Sequence, residues 1–370
     1  MAILHLWFGL ASALIVFLVA LSGSIYAYKQ PVTDLLNQQA VFTSVHSATS
    51  ISTDDLVKKF EAKYGEATGV IVYDKEERNT IISSRTKGNI GITAYYCPYS
   101  GEEKGILNQG CDAFFETMLN LHRFLLLGDV GKLINGIAIL IFVFLIVSGL
   151  VLWVPKTIAK LKDALRVEWR TTFYRLIYDL HNTLGFYASL LLLFMALTGL
   201  YTSFHWMKNV IIVGLGGHSI VISDDNLALQ ADLSKAFKAT LDQLEEEAEM
   251  TCDGQYNLQS VIEETNSYFP NSGQLTIFLP SEQVKTVKIT KLNFDSFLET
   301  PDVIEFSSLG EVGEISRFVE LPIHQQFKAI AKPLHTGEVF GWPGLILFSI
   351  VSLFACSLPV TGLILWLNKL

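Results

Sequence analysis

The sequence predicts an all-α membrane core of four transmembrane helices in a tandem pseudo-twofold repeat, with two α+β segments carried on its outer side. Three observations predict it: four long apolar runs, histidine and glycine offsets that recur without a gap between the halves, and a helix-then-strands pattern found twice between the runs. Half of the 370 residues are hydrophobic and mean hydropathy is positive, as in membrane rather than soluble proteins. The formal charge of −9 belongs mainly to the outer segments, and no nucleic-acid partner is expected.

The first span, residues 1–29, contains the apolar run Ile3 to Tyr28. About 20 helical residues cross a hydrocarbon core of about 30 Å. A cleaved signal peptide is the competing reading, but the run lacks a basic n-region, is too long, and returns in the third span, where cleavage is excluded. His5 opens it, followed by Gly9 and Ala20-Leu21-Ser22-Gly23. The first outer segment, 30–120, predicts an amphipathic helix at Asp54 to Tyr64 and strands at Gly69 to Tyr73 and Thr80 to Ser83. Its Cys97 and Cys111 either close a short disulfide loop in an oxidising compartment or stay separate thiols. No CxxC or zinc spacing occurs.

The second span, 121–154, begins Leu121-His122, passes Gly128 and Gly131, and ends Ser148-Gly149-Leu150-Val151-Leu152-Trp153. The connection 155–180 is short and carries Lys156, Lys160, Lys162, Arg166, Arg170 and Arg175 against Asp163, Glu168 and Asp179. Such loops stay in the cytoplasm, so both termini are expected there too. The third span, 181–207, repeats the offsets of the first: His181, Gly185, then Ala196-Leu197-Thr198-Gly199. The second outer segment, 208–334, is acidic at Glu245, Glu246, Glu247 and Glu249, and predicts a helix at Leu258 to Phe269 with strands at Gln274 to Leu279 and Thr286 to Lys291. Both outer segments reach a Gly-Glu turn, Tyr99-Ser100-Gly101-Glu102 and Ser308-Leu309-Gly310-Glu311. The fourth span, 335–370, repeats the second: Leu334-His335, Gly341, Gly344, then Thr361-Gly362-Leu363-Ile364-Leu365-Trp366.

The register pairs His5 with His181 near the cytoplasmic face and His122 with His335 near the outer face. An interfacial histidine bonded to a headgroup or carbonyl explains any one of them, but explains poorly four at two repeat positions. Two imidazoles facing across a twofold axis are the axial ligands of a b-type haem, which needs no CxxCH, and two haems b are therefore expected. Gly23 and Gly199 follow their histidines by 18 residues, a rise of about 27 Å that brings them beside His122 and His335. Gly149 and Gly362 follow theirs by 27 residues, about 40 Å, and approach His5 and His181. These glycines either admit a flat macrocycle or serve ordinary close packing of helices.

Arg123 and Lys332 are candidate partners for propionates of an outer haem, and Arg170 and Arg175 for those of an inner one; anchoring and topology-setting are their other roles. His205 breaks the repeat, its counterpart being Lys29, and is read as an alternative ligand or an interfacial residue. His46, His218 and His324 fall outside the spans. Asp129, Glu338 and Trp342 stand near the outer pair in sequence, either lining a substrate site or serving as helix caps and an interface aromatic.

At Leu4-His5 with Ala20 to Gly23, at Leu121-His122-Arg123 with Leu127-Gly128 and Ser148 to Trp153, and at His335-Thr336-Gly337-Glu338 with Gly341-Trp342-Pro343-Gly344, the chain resembles the PepSY-associated transmembrane family. That family includes bacterial iron-regulated membrane proteins and ferric-siderophore reductases. The resemblance implies a Gram-negative inner membrane, PepSY-like periplasmic domains, bound haem b, and an oxidoreductase that reduces siderophore-borne iron.

With both axial positions filled neither iron is open to oxygen chemistry, which leaves electron transfer as the expected role. Gly214-Leu215-Gly216-Gly217 is not a Rossmann fingerprint, so the donor is expected to be a separate cytoplasmic protein or a quinol. Two rivals from other classes remain at this stage: a non-redox binding or regulatory membrane protein, and a haem or metal carrier.

Overall fold

The computed structural model describes residues 1–43, 50–74, 77–84, 91–107, 110–155, 157, 161–218, 257–280, 286–307 and 309–368. Lys156, Lys160, His46, the acidic cluster around Glu245, Cys252 and Ser308 lie outside the described residues. Four helical stretches are long and apolar enough to cross a membrane: Ala2–Leu36, Gly128–Trp153, Phe173–Ser203 and Glu338–Leu367. The first contains α1 (Ala2–Tyr26) and α2 (Lys29–Leu36), followed by a single turn, α3 (Gln38–Val41).

The outer region begins with α4 (Thr53–Tyr64) and continues with β1 (Ala67–Tyr73), β2 (Thr80–Ser84), β3 (Thr93–Tyr96) and β4 (Glu103–Ile106). Next come α5 (Asp112–Phe124), the spanning helix α6 (Gly128–Trp153), the short α7 (Leu161–Ala164) and α8 (Phe173–Asp179). A π-helical turn, Leu180–Leu184, joins α8 to α9 (Gly185–Ser203), so the third span starts well before the expected residue 181. After α10 (His205–Gly214) the second outer segment supplies α11 (Leu258–Tyr268), β5 (Gly273–Phe278), β6 (Val287–Asn293), β7 (Thr300–Phe306) and β8 (Val312–Ser316). The chain closes with α12 (Ile323–Thr336) and the spanning α13 (Gly341–Leu367).

Each outer segment gives one helix that covers the sheet and four strands, but the strands do not form the two separate domains read from the sequence. They join in one antiparallel sheet of order β4-β3-β2-β1-β5-β6-β7-β8. The seam is β1 against β5, from Gly69 opposite Phe278 to Tyr73 opposite Gln274. Strand alternation turns Val70, Ile82, Leu275, Ile277, Val287, Ile289, Ile304 and Phe306 to one face, where they pack with Leu56 and Phe60 of α4 and Val261 and Ile262 of α11. Full burial of each such side chain contributes about 1.5–3 kcal/mol.

The two covering helices meet N-terminus to N-terminus. The Asp54 carboxylate accepts from the backbone N–H of Leu258 at 2.8 Å and Gln259 at 2.9 Å, while Gln259 Oε1 accepts from Thr53. Each helix thus caps donors that the other leaves orphaned. Lys291, buried on β6, reaches across the seam to the Asp74 carboxylate at 2.7 Å.

The spans α1, α6, α9 and α13 form a ring in which each packs against two neighbours, with α5 leaning on α1 and α12 on α9. The sheet docks at one end of this ring, where Glu299 N–H donates to the Val339 carbonyl at 2.8 Å and Phe297 meets Phe340. The 155–180 connection lies at the other end, tied down by Trp153 Nε1–H donating to the Ala164 carbonyl and Tyr187 O–H to that of Leu165.

Candidate functional site

His122 and His335 do not sit on the spanning helices, as the sequence reading has it, but on the last turns of α5 and α12. The chain breaks between each of these helices and the span that follows. After α5, Leu125 and Leu126 take left-handed backbone angles, φ 51 and 59, the only non-glycine residues to do so among those described. Left-handed non-glycine residues cost about 1–3 kcal/mol each and persist where surroundings over-determine them. After α12 the same change of direction falls on Gly337, φ 83, where no Cβ opposes it. The 40 Å continuous rise expected from His122 to Gly149 is therefore interrupted, although Gly149 still reaches His5. His5 lies in the first turn of α1, and His181 lies in the π-helical turn, a local widening often found at functional positions.

Two cavities of about 450 and 460 Å³ open within the ring, inside the range of about 300–1,000 Å³ common to cofactor sites. His5, His181, Gly149 and Gly362 line the one nearer the 155–180 connection, the loop-side cavity. The other, on the sheet side, is lined by His122, His335, Gly23 and Gly199.

What each glycine admits is an imidazole from a neighbouring helix. A methyl group added at Gly23 would stand 2.6 Å from His122 Cε1, at Gly199 3.0 Å from His335 Cε1, at Gly149 3.3 Å from His5 Cε1 and at Gly362 3.4 Å from His181 Cε1. The residue before each glycine completes the seat. His5 Nδ1 lies 2.9 Å from Ser148 Oγ, His181 Nδ1 2.9 Å from Thr361 Oγ1 and His335 Nδ1 3.0 Å from Thr198 Oγ1. Those hydroxyls give their own protons to carbonyls one turn back, at Leu145, Ser357 and Phe194. Each is left as an acceptor, so the imidazole proton sits on Nδ1.

His122 differs: its Nδ1–H donates straight to the Val19 carbonyl at 2.8 Å, while Ser22 bonds to Leu18 and Val19. A carbonyl only accepts, so the tautomer is the same. In all four rings Nε2 carries the free lone pair, the arrangement in which a histidine ligates a metal while its second nitrogen is held by a backbone or side-chain acceptor.

Across the sheet-side cavity the His122 and His335 ring centroids are 6.1 Å apart. Two metal–nitrogen bonds of about 2 Å plus half of each ring span about 6 Å, so the gap fits one metal atom between them. Among the described residues no group of three or more His, Cys, Asp or Glu could hold a bare ion. Two imidazoles alone do not fill a tetrahedral zinc shell, whereas they complete an iron whose other four ligands come from a macrocycle. The donor set and the cavities thus fit a haem.

Of the two, the sheet-side cavity is the one with cationic side chains in its described lining. Arg123 and Lys332 line it, as do Asn135 and Ser349, whose Oδ1 and Oγ are buried without a partner among the described residues. Asn135 uses its amide to hold His122's helix, donating to the carbonyls of His122 at 2.8 Å and Arg123 at 3.3 Å. Sequence reading passed over it, although an amide inside an apolar run is a usable signal. It likewise gave a role to the glycines of the Ser/Thr-Gly steps and none to the hydroxyls.

Other expected residues fall elsewhere. No Lys or Arg is among the described lining of the loop-side cavity; Arg170 is exposed, and Arg175 pairs with Asp179 at 3.0 Å. Asp129, Glu338 and Trp342 do not line the sheet-side cavity, being turned outward at the starts of their helical segments. His205 is exposed at the start of α10, His218 is exposed, and His324 packs by Gly217; none lines either cavity.

Cys97 and Cys111 are separate thiols: Cys97 is buried with its sulfur 3.5 Å from Thr43 Oγ1, and Cys111 lies at the start of α5. Burial pushes the Cys97 thiol up, but hydrogen bonds from Ser100, Thr43 and the Ser100 and Tyr99 backbone outweigh it and bring it down to about 7.

No curated protein matches the chain. The PepSY-associated TM region does match, over residues 2–369 and hence over every element described above, so the chain is a multi-pass membrane protein of the PepSY-associated transmembrane family.

Proposed function

We propose that this protein is an oxidoreductase of the bacterial inner membrane that carries single electrons through two b-type haems and reduces ferric siderophores at the periplasmic face. The observation that carries this reading is the His122 and His335 pair, 6.1 Å between centroids, with both Nδ1 atoms tied back and both Nε2 lone pairs free. His5 and His181 repeat the same seat at the other end, a correspondence that supports a pseudo-twofold repeat with one haem in each cavity. The mirrored strand order about the β1–β5 seam supports the same repeat in the outer region.

Haem bound in these cavities would supply reversible one-electron chemistry. The residues of this chain do the rest. The four histidines would hold the haem irons, and Ser148, Thr198, Thr361 and the Val19 carbonyl keep each ring in one tautomer and one orientation. The glycines let the rings close on the neighbouring helix. Arg123 and Lys332 are positioned to pair with carboxylates at the sheet-side cavity. The basic 155–180 connection faces the cytoplasm by the positive-inside rule, and there a soluble donor or a quinol delivers the electron. A ferric siderophore accepts it on the periplasmic side and releases iron as the ferrous ion.

The visible spectrum of the purified protein tests this. A b-type, six-coordinate signal reduced by dithionite and reoxidised by a ferric siderophore is expected. A colourless protein, or a haem that ferric chelates do not reoxidise, overturns the reading.

A further inference from the structure

We propose that Phe142 is the partition between the two cavities, a single ring that forms part of the wall of both cofactor sites and sets how each planar group is seated. The proposal rests on the two-haem reading above.

Three side chains line both cavities: Val16, Phe142 and Leu192. They are buried and belong to one packed cluster with Ala355. In the repeat register Val16 and Leu192 are counterparts, each eleven residues after its histidine, and Phe142 and Ala355 are counterparts, each twenty residues after theirs. These four, half of the cluster's eight buried residues, make two corresponding pairs. The first pair matches closely, aliphatic with aliphatic. The second does not, a phenyl against a methyl.

That mismatch falls inside the buried cluster that separates the cavities. Two phenyl rings at the Phe142 and Ala355 positions would crowd the middle of a close-packed core, and two methyls would leave a void joining the cavities; one of each fills the space once. The repeat abandons its symmetry here because one ring is what the centre holds. Neighbouring residues behave differently. Ile146 lines the loop-side cavity alone and Ala196 the sheet-side cavity alone. Removing the Phe142 ring should therefore disturb both sites together, whereas an ordinary wall residue disturbs one.

Potentiometric titration with optical detection on the full-length protein tests this, with the loss of one component in His5→Ala and of the other in His335→Ala assigning the two midpoints. Phe142→Ala is expected to shift both midpoints and the Soret band of both components, Ile146→Ala only the loop-side one, and the swap Phe142→Ala with Ala355→Phe to return both toward wild type. Where Phe142→Ala fails to accumulate, Phe142→Leu keeps the apolar volume, removes the ring and carries the same expectation. A shift confined to one component, or none, in a wild-type protein that holds two haems overturns the partition and leaves the two-haem reading standing. A wild-type protein without haem sinks that reading, and the partition falls with it.

Discussion

The two cavities repeat one plan with different tolerances. On the loop side the histidines belong to the spanning stretches themselves, both rings lean on hydroxyls, and the opposing glycines leave 3.3 and 3.4 Å for an added methyl. On the sheet side the histidines come from separate helices, one ring uses a backbone carbonyl, and the allowance falls to 2.6 and 3.0 Å. A ring delivered by its own span has the whole helix to adjust. A ring delivered by a helix that ends one turn later, at two left-handed leucines, has very little. The sheet-side site is the one whose shape depends on everything around it.

The largest test of that contrast is the glycine series. Gly23→Ala forces the His122 ring to move and should cost about 1–3 kcal/mol of overpacking, with loss of the haem proposed for the sheet side, and Gly199→Ala, at 3.0 Å from the His335 ring, should disturb the same site less. Gly149→Ala and Gly362→Ala ask the loop-side rings to give by a few tenths of an ångström and should keep both haems. Pyridine haemochrome content of the four variants checks this, and equal losses in all four would erase the difference between the sites.

The hydroxyl series should act more gently. Ser148→Ala, Thr361→Val and Thr198→Val each remove the acceptor of an Nδ1 proton, worth about 0.5–1.5 kcal/mol, and should shift the midpoint of the haem concerned. Ser22→Ala, at the corresponding position, should leave its haem unmoved because the Val19 carbonyl holds His122. A shift on Ser22→Ala as large as that on Thr198→Val would show that the carbonyl is not the effective partner.

The smallest effect is expected away from both cavities, on the edge strand β4. Burial pushes Glu103 upward, but hydrogen bonds from Lys63 and Tyr64, the Lys63 charge and a bond from Tyr96 outweigh it and hold the carboxylate below its usual range. Its contribution is complete above the unfolded value of about 4.3 and is lost as pH falls through the lower folded value. Thermal melts of Glu103→Gln should lie below wild type at neutral pH and converge with it in acid, with both haem midpoints unchanged at pH 7.

Much of this was legible in the sequence, and the rest was hidden for identifiable reasons. The four spans, the histidine register, and the helices and strands at α4, β1, β2, α11, β5 and β6 all follow from local periodicity. The β1–β5 seam does not, because pairing between strands so distant in sequence leaves no local mark. The break after His122 was concealed because Leu125 and Leu126 are good helix formers, held in left-handed geometry by their surroundings. The hydroxyls of Ser148, Thr198 and Thr361 were visible as Ser/Thr-Gly steps, yet only the packed bundle shows that they address rings on other helices. Arg170 and Arg175 misled because nearness in sequence to a histidine says nothing of whether a side chain reaches the cavity.

The seam between β1 and β5 also bears on how the chain is made. β1 is complete at Tyr73, and its partner strand begins about 200 residues later, after two further spans have entered the bilayer. At about 5–20 residues per second of synthesis, that edge stands open for roughly 10–40 s. An unpaired strand edge is a template for the wrong partner. Biogenesis of this protein therefore includes an interval in which half of its outer sheet waits for the other half, and a chaperone on that side of the membrane has a defined edge to shield.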